Sequence, residues 1–147
     1  MLNHLEPYLL APSSLTPTAL LQRAASLLDD PALAAALSRG DRLTRLRVNP
    51  LYDAWLVRWT PGEATDLHAH EGGYGAFAVV AGLVRETAAA TDGLLERLVP
   101  AGERVAYRPG HVHRLAAVGE TATLHLSSPP RAAAPCLLHG AMLDATA

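Results

Sequence analysis

The 147-residue sequence contains no lysine, one cysteine and no long apolar run. The single thiol, Cys136, excludes a disulfide framework and is typical of a reducing compartment, so we expect a cytoplasmic protein. The longest apolar run that tolerates glycine covers 74–84, well short of the roughly 20 residues that a membrane span needs. The first ten residues include Glu6 and Pro7 and carry no basic segment, so we expect no signal peptide.

Strong charge of either sign is also missing, because the formal net charge is −2. This balance gives no basic surface for nucleic acid or for an anionic membrane, and we expect neither as a partner. Residue types that occur in unusual number are arginine, which supplies all twelve basic residues, and histidine, with seven copies. The histidines therefore need an explanation.

The length predicts a single domain over 1–147, with a helical segment over 1–40, a β-barrel over 41–130 and an unpatterned tail over 131–147. Thr16 followed by Pro17 is a typical helix start, and leucines then repeat at helical spacing. A break at Asp30 and Pro31 predicts a second short helix that ends near Gly40. We expect one or two helices packed against the outside of the barrel.

Short strands separated by turn residues follow the helical segment. Eight or nine strands at this spacing predict a mainly β protein, either an all-β barrel or a jelly roll. The predicted strands cover 43–48, 54–60, 66–70, 75–81, 84–89, 94–99, 104–107, 112–118 and 121–128.

Four histidines fall on these predicted strands. His68 and His70 are two residues apart, so both side chains project from one face, about 7 Å apart along the backbone. That spacing lets two imidazoles reach one metal ion. Antiparallel pairing could bring His113 to the same face, and His125 lies on the last strand. Taken singly, any one of them would be interpreted as an ordinary core or surface histidine rather than as a metal ligand.

Glycines around the histidines complete a composite pattern. Gly62 precedes His68 by six residues, Gly82 follows His70 by twelve, and Gly110 lies in the turn before His113. Over roughly 43–128, this composite resembles the two motifs of the cupin superfamily. The resemblance implies a jelly-roll barrel that holds one metal ion.

The same resemblance implies the metal ligands. They would be His68, His70 and His113, with no carboxylate, because Gly75 occupies the position where cupins usually carry a glutamate. Three neutral imidazoles leave a divalent ion with open positions, which suits iron or zinc chemistry. His111 is the competing ligand, since it has the same strand parity as His113.

Longer segments resemble the thiol dioxygenases, specifically the cysteine dioxygenase-like branch of the cupins. These segments are 59–70 (WTPGEATDLHAH), 110–114 (GHVHR) and 124–130 (LHLSSPP), with Gly82 and Glu86 between them. The resemblance implies an iron(II) enzyme that inserts both atoms of O₂ into a small thiol to give a sulfinic acid. Its partners would be O₂ and cysteine or a similar thiol carboxylate.

The resemblance also implies two further site residues. The substrate carboxylate needs a cation, for which the planar fork of arginine is well suited. The family uses an arginine on the strand before the tryptophan, and we choose Arg45, with Arg42 and Arg47 as alternatives. His125 matches the histidine that lies outside the ligand shell near the oxygen site.

One departure affects the chemistry directly. The family carries a tyrosine two residues after its last-strand histidine, whereas this sequence has Ser127, which is too short to reach the same point. Tyr74 is predicted to compensate, because it shares the parity of His68 and His70 provided that no bulge separates them. Tyr107 is a second candidate.

The missing tyrosine leaves two other functions open. One is a metal-dependent cupin that acts on a different small molecule, and the other is a non-catalytic cupin that binds a ligand. His4, His111 and His139 are expected to serve neither the metal nor the substrate.

Overall fold

The computed structural model describes residues 14–70 and 72–131. The predictions made for the first ten residues, for the tail after residue 131, and for His4, Cys136 and His139 lie outside the described residues. None of the helices within the described part of the chain is long and apolar enough to cross a membrane.

In the described part of the chain, two helices precede the strands, as predicted: α1 (Pro17–Leu28) and α2 (Pro31–Arg39). The Thr16 hydroxyl accepts a hydrogen bond from the Ala19 amide at 3.1 Å. The Asp30 carboxylate does the same for the Ala32 amide at 2.8 Å. Both are N-caps, which satisfy amides that have no partner within the helix. Gly40, in the left-handed conformation at φ 76°, ends α2.

Nine antiparallel strands follow among the described residues, and they form two sheets. The first sheet has five strands in the order β1-β2-β9-β4-β7, and the second has four in the order β3-β8-β5-β6. Eight of the nine predicted strands match within one residue at each end, but β3 is much shorter than predicted. The strands are β1 (Leu43–Val48), β2 (Asp53–Trp59), β3 (His68–Ala69), β4 (Tyr74–Ala81), β5 (Leu83–Ala90), β6 (Gly93–Pro100), β7 (Arg104–Tyr107), β8 (Val112–Ala117) and β9 (Thr121–Ser128).

The three central strands of the five-stranded sheet, β2, β9 and β4, are buried on both faces. The outer face of the sheet packs against the helices, with α1 lying over β4, β7 and β9. This helix-side core is rich in alanine and leucine, and its buried members include Leu20, Ala24, Leu33, Leu56, Ala76, Ala78, Leu124 and Leu126. The inner face packs against the other sheet through Val57, Trp59, Phe77, Val79, Val84 and Leu115. The helices therefore cover the barrel from outside, as predicted.

Strand register sets which side chains share the barrel interior. Asp53 of β2 lies opposite Ser127 of β9, Ser127 lies opposite Gly75 of β4, and Gly75 lies opposite Tyr107 of β7. Because directly opposed residues in an antiparallel sheet point to the same face, these four form one row, which we call the interior row. His125 lies two residues before Ser127 and therefore on the same face.

Candidate metal centre

Three histidines meet inside the barrel, between the two sheets. The Nε2 atoms of His68 and His70 lie 3.2 Å apart, and those of His70 and His113 lie 2.8 Å apart. The register of β3 against β8 places His68 directly opposite His113. His70 and His113 are buried, and His68 is half-buried. The structure thus brings the three predicted metal ligands together around one point.

Hydrogen bonds orient two of these rings. The Nδ1 of His68 donates to the Asp66 carbonyl at 2.8 Å. The Nδ1 of His113 donates to the Glu86 carboxylate at 2.7 Å. Because a carbonyl and a carboxylate only accept, each Nδ1 carries the proton and each Nε2 presents its lone pair to the centre. Ligands of bound metals are commonly held in this way by a second hydrogen bond.

His68 and His70 are held in the neutral form that a metal requires. Burial, together with repulsion from the charges of His113 and His68, lowers the pKa of His70 to about 2. Burial also lowers the pKa of His68. Three unprotonated nitrogens that face one another are stabilised by a shared cation, so the donor set fits a divalent metal ion.

Glu86 is a functional residue whose role the sequence left unassigned. It is 1% exposed and projects from β5 into the interior. Burial alone would raise its pKa, but hydrogen bonds from His113 and Arg97 hold the pKa at about 2. The Arg97 Nε donates to Glu86 Oε1 at 2.7 Å. The sequence does contain one indication of this role, because an acidic residue two positions after Val84 falls on the inward side of a largely apolar strand.

His111, the competing ligand, lies beside the three-histidine group. Its Nε2 is 3.6 Å from Glu86 Oε2, and its ring stacks on Tyr107 with centroids 5.4 Å apart. Together with Glu86 and His113, it forms a second set of atoms that could hold a cation. That set shares His113 with the first, but its carboxylate also receives the Arg97 guanidinium.

His125 lies deep in the same interior. It is 3% exposed, and burial lowers its pKa to about 3, so the ring is neutral at physiological pH. Its Nε2 is 2.7 Å from the Thr123 hydroxyl, and its ring stacks on Phe77 with centroids 6.0 Å apart. Within residues 14–70 and 72–131, the buried Nδ1 has no hydrogen-bond partner.

The two candidate tyrosines lie on different sides of the five-stranded sheet. Tyr74 packs against the helix-side core, whereas the ring of Tyr107 lies 4.3 Å from that of His70 and 5.0 Å from that of His113. The expected parity fails because the chain turns between β3 and β4, where Gly72 has φ 82°. The interior position on β4 is therefore Gly75 rather than Tyr74.

The three candidate arginines on β1 and its approach have different partners. Arg42 forms an ion pair with Glu63, and Arg47 pairs with Asp30 at 2.5 Å. The Arg45 guanidinium lies over the Trp55 ring, 5.3 Å from its centroid. In the described part of the chain, Arg45 is the one of the three without an ion pair.

A small cavity of about 200 Å³ opens beside His70. Arg131 lines this cavity together with His70. The volume suits a small organic acid or amino acid. The cavity is lined by His70, Gly72, Gly73, Tyr74, Ser127, Pro129, Pro130 and Arg131.

Comparison with known proteins agrees with this architecture. The sequence model of the family described as cysteine dioxygenase type I matches residues 29–134. No curated protein sequence gives a significant match.

Solved structures of cupins have the same fold. KdgF of a Halomonas species is 20% identical with a TM-score of 0.56, covering 61% of this chain and 79% of that one. An RmlC-like cupin of Shewanella frigidimarina is 21% identical with a TM-score of 0.54, covering 61% and 77%. A cupin superfamily protein of Desulfitobacterium hafniense is 13% identical with a TM-score of 0.52, covering 58% and 74%. The predicted cupin jelly roll is confirmed.

Proposed function

Because the chain belongs to the cysteine dioxygenase type I family, we propose that it is an iron-dependent thiol dioxygenase. Its substrates would be O₂ and cysteine or a similar small thiol carboxylate, and its product the sulfinic acid. The convergence of the Nε2 atoms of His68, His70 and His113 is the observation that carries this proposal. Three imidazole nitrogens oriented to one point are what a catalytic metal ion needs.

His68, His70 and His113 would hold the iron. When bound, iron(II) supplies the redox chemistry with O₂ and a positive charge that favours the thiolate form of a substrate. The three imidazoles add no negative charge, so they do not weaken the attraction between the iron ion and the thiolate. Glu86 keeps the His113 ring in place and in the correct tautomer through the 2.7 Å hydrogen bond at Nδ1.

Arg45 and His125 are the proposed substrate-facing groups. The partners of Arg42 and Arg47 support Arg45, because a guanidinium already in an ion pair must lose it to bind a carboxylate. His125 is buried and neutral, and its Nε2 shares a hydrogen bond with the Thr123 hydroxyl. It would hold a polar group of the reactants by hydrogen bonding rather than by charge.

Ser127 favours a second candidate function. A serine hydroxyl on β9 is too short to reach the point that a tyrosine reaches, so the same metal could serve a different small acid or bind a ligand without turnover. We propose the cytoplasm as the location, because the sequence contains a single cysteine.

The test is metal analysis of the purified protein, anaerobic loading with iron(II), and oxygen uptake with a panel of thiols. We expect one iron per chain, and uptake with cysteine or 3-mercaptopropionate that is matched one to one by sulfinate. Cysteamine lacks a carboxylate, so Arg45→Leu is expected to raise KM for the acids and leave cysteamine unaffected. Arg47→Leu is the matched control. Full iron occupancy without uptake for any thiol would reject the dioxygenase and leave the second candidate.

The ligand set has its own test. We expect His68→Ala, His70→Ala and His113→Ala each to lose iron, whereas His111→Ala retains it. Retention of iron in His68→Ala together with its loss in His111→Ala would instead assign the metal to the set formed by Glu86, His111 and His113.

A further inference from the structure

Gly75 lies at the centre of the interior row, between two residues of different length. Ser127 faces it from β9 and Tyr107 faces it from β7. A side chain long enough to extend a hydroxyl group over Gly75 is therefore present on the β7 side of β4 and absent at the facing position on β9. The serine on β9 does not reach as far as the phenol on β7.

Space, rather than backbone conformation, explains why residue 75 is a glycine. Gly75 is not among the glycines with positive φ, so its backbone would accept other residues. A Cβ added there would lie 2.6 Å from the Tyr107 Cζ and 2.8 Å from its hydroxyl oxygen, and closer still to Cε2. The Tyr107 ring thus occupies the volume of the absent side chain, with its hydroxyl over Gly75.

The Tyr107 ring is also fixed on its other sides. It is 6% exposed, and its centroid lies 4.3 Å from that of His70, 5.0 Å from that of His113 and 5.4 Å from that of His111. A phenol packed against two of the three metal-binding rings can change its position only if those rings move. Its hydroxyl therefore has a defined place over Gly75, on a ring that contacts two of those imidazoles.

We propose that Tyr107 donates a hydrogen bond from its hydroxyl to a ligand bound at the three-histidine centre, and that Gly75 is required to admit its ring. The tyrosine would thus come from β7, in place of one on β9. This inference rests on the metal centre of the proposed function, but not on thiol oxidation.

Azide binding to the Co(II)-loaded full chain tests the proposal without turnover. We expect Tyr107→Phe to bind Co(II) as the wild type does and to bind azide about tenfold more weakly, the usual effect of losing a hydrogen bond to a charged group. Tyr52→Phe, which removes a hydroxyl from a buried tyrosine of the helix-side core, is the matched control and should leave azide affinity unchanged. The cobalt d–d absorption bands report both titrations.

Tyr74 is the competing candidate for this hydroxyl group, and its role would be seen in the opposite outcome. If Tyr74→Phe weakens azide binding and Tyr107→Phe does not, the assignment to Tyr107 is wrong. Failure of the wild type to bind Co(II) would reject the metal centre itself. Bound Co(II) with unchanged azide affinity in Tyr107→Phe would reject only the role of Tyr107.

Gly75→Ala tests the second half of the proposal. The added methyl group should displace the ring and weaken azide binding to a similar extent. In the Tyr107→Phe background there is no hydroxyl left to displace, so Gly75→Ala should then cause little further loss. An equal loss in both backgrounds would contradict the coupling between residues 75 and 107.

Discussion

His113 uses both of its ring nitrogens. Its Nε2 faces His70 at 2.8 Å, and its Nδ1 donates to Glu86 at 2.7 Å. Glu86 in turn accepts from Arg97, which is 57% exposed in its side chain. A chain of three side chains therefore leads from the metal centre to the surface of β6. The buried carboxylate fixes the tautomer of His113 and makes its ring a stronger ligand.

Glu86→Gln tests this relay. The amide can still accept from His113, but it lacks the negative charge and cannot pair with Arg97. We expect metal affinity to fall by about 10- to 100-fold, as is typical when the partner of a ligating histidine is lost. A Co(II) titration at neutral pH measures the effect. Glu96→Gln, which breaks only the exposed pair with Arg85, should bind as the wild type does. Equal affinity in the Glu86 and Glu96 variants would contradict the relay.

The sequence could predict the three-histidine group because it depends on local spacing and on one strand pairing. His68 and His70 share a face through strand alternation, and β3 pairs with the strand that carries His113. Glu86 and Tyr107 could not be assigned in this way. Their positions depend on the register of β5 and β7 in two different sheets, and nothing in the local sequence specifies that register.

At the scale of elements, the loop between β2 and β3 is held by Glu63. Its Oε1 accepts from the Thr60 amide at 2.6 Å, and its other oxygen pairs with Arg42 just before β1. Glu63 is 9% exposed. The loop leads directly to His68, so this carboxylate connects the edge of one sheet to the segment that carries the first of the three proposed metal ligands.

Acid should weaken this attachment. Burial alone would raise the pKa of Glu63, but hydrogen bonds from Thr60 and Arg42 hold it below 4.5. A lowered pKa contributes stability above the unfolded value, and that contribution is lost as the pH falls through the folded pKa. We expect Glu63→Gln to cost about 1–3 kcal/mol of unfolding free energy at pH 7 and less near pH 3.

Urea denaturation at the two pH values measures this difference. Glu103→Gln, at an exposed position in the turn before β7, is the control and should change stability little at either pH. A cost for Glu63→Gln that stays constant from pH 7 to pH 3 would show that the carboxylate charge is not the source.

In the whole molecule, the five-stranded sheet separates two cores. Within residues 14–70 and 72–131, the side facing α1 and α2 is an apolar core, whereas the buried histidines His70, His113 and His125 lie in the interior. Strand alternation and helical periodicity predicted this layered architecture, because each pattern needs a second layer to cover its apolar face. The sequence did not show how the strands divide into sheets of five and four, since that division depends on long-range pairing.

Leu20→Ala tests the separation. Leu20 is fully buried in the helix-side core, and its truncation should cost about 2–5 kcal/mol of stability. Co(II) affinity, measured well below the melting temperature, should be unchanged, because the altered contacts lie on the far side of the sheet. His113→Ala should show the opposite pattern, because its main effect should be the loss of metal binding. Weaker metal binding in folded Leu20→Ala would show that the two cores are coupled.

The interior row has a consequence for how such a protein can diversify. The three proposed metal ligands come from β3, β8 and the turn after β3, whereas Asp53, Ser127, Gly75 and Tyr107 come one each from four strands of the opposite sheet. A point mutation can therefore change one side chain of the interior row and leave the histidines and the strand register intact. During evolution, the three histidines can therefore be retained while single mutations in the interior row change which substrate is preferred.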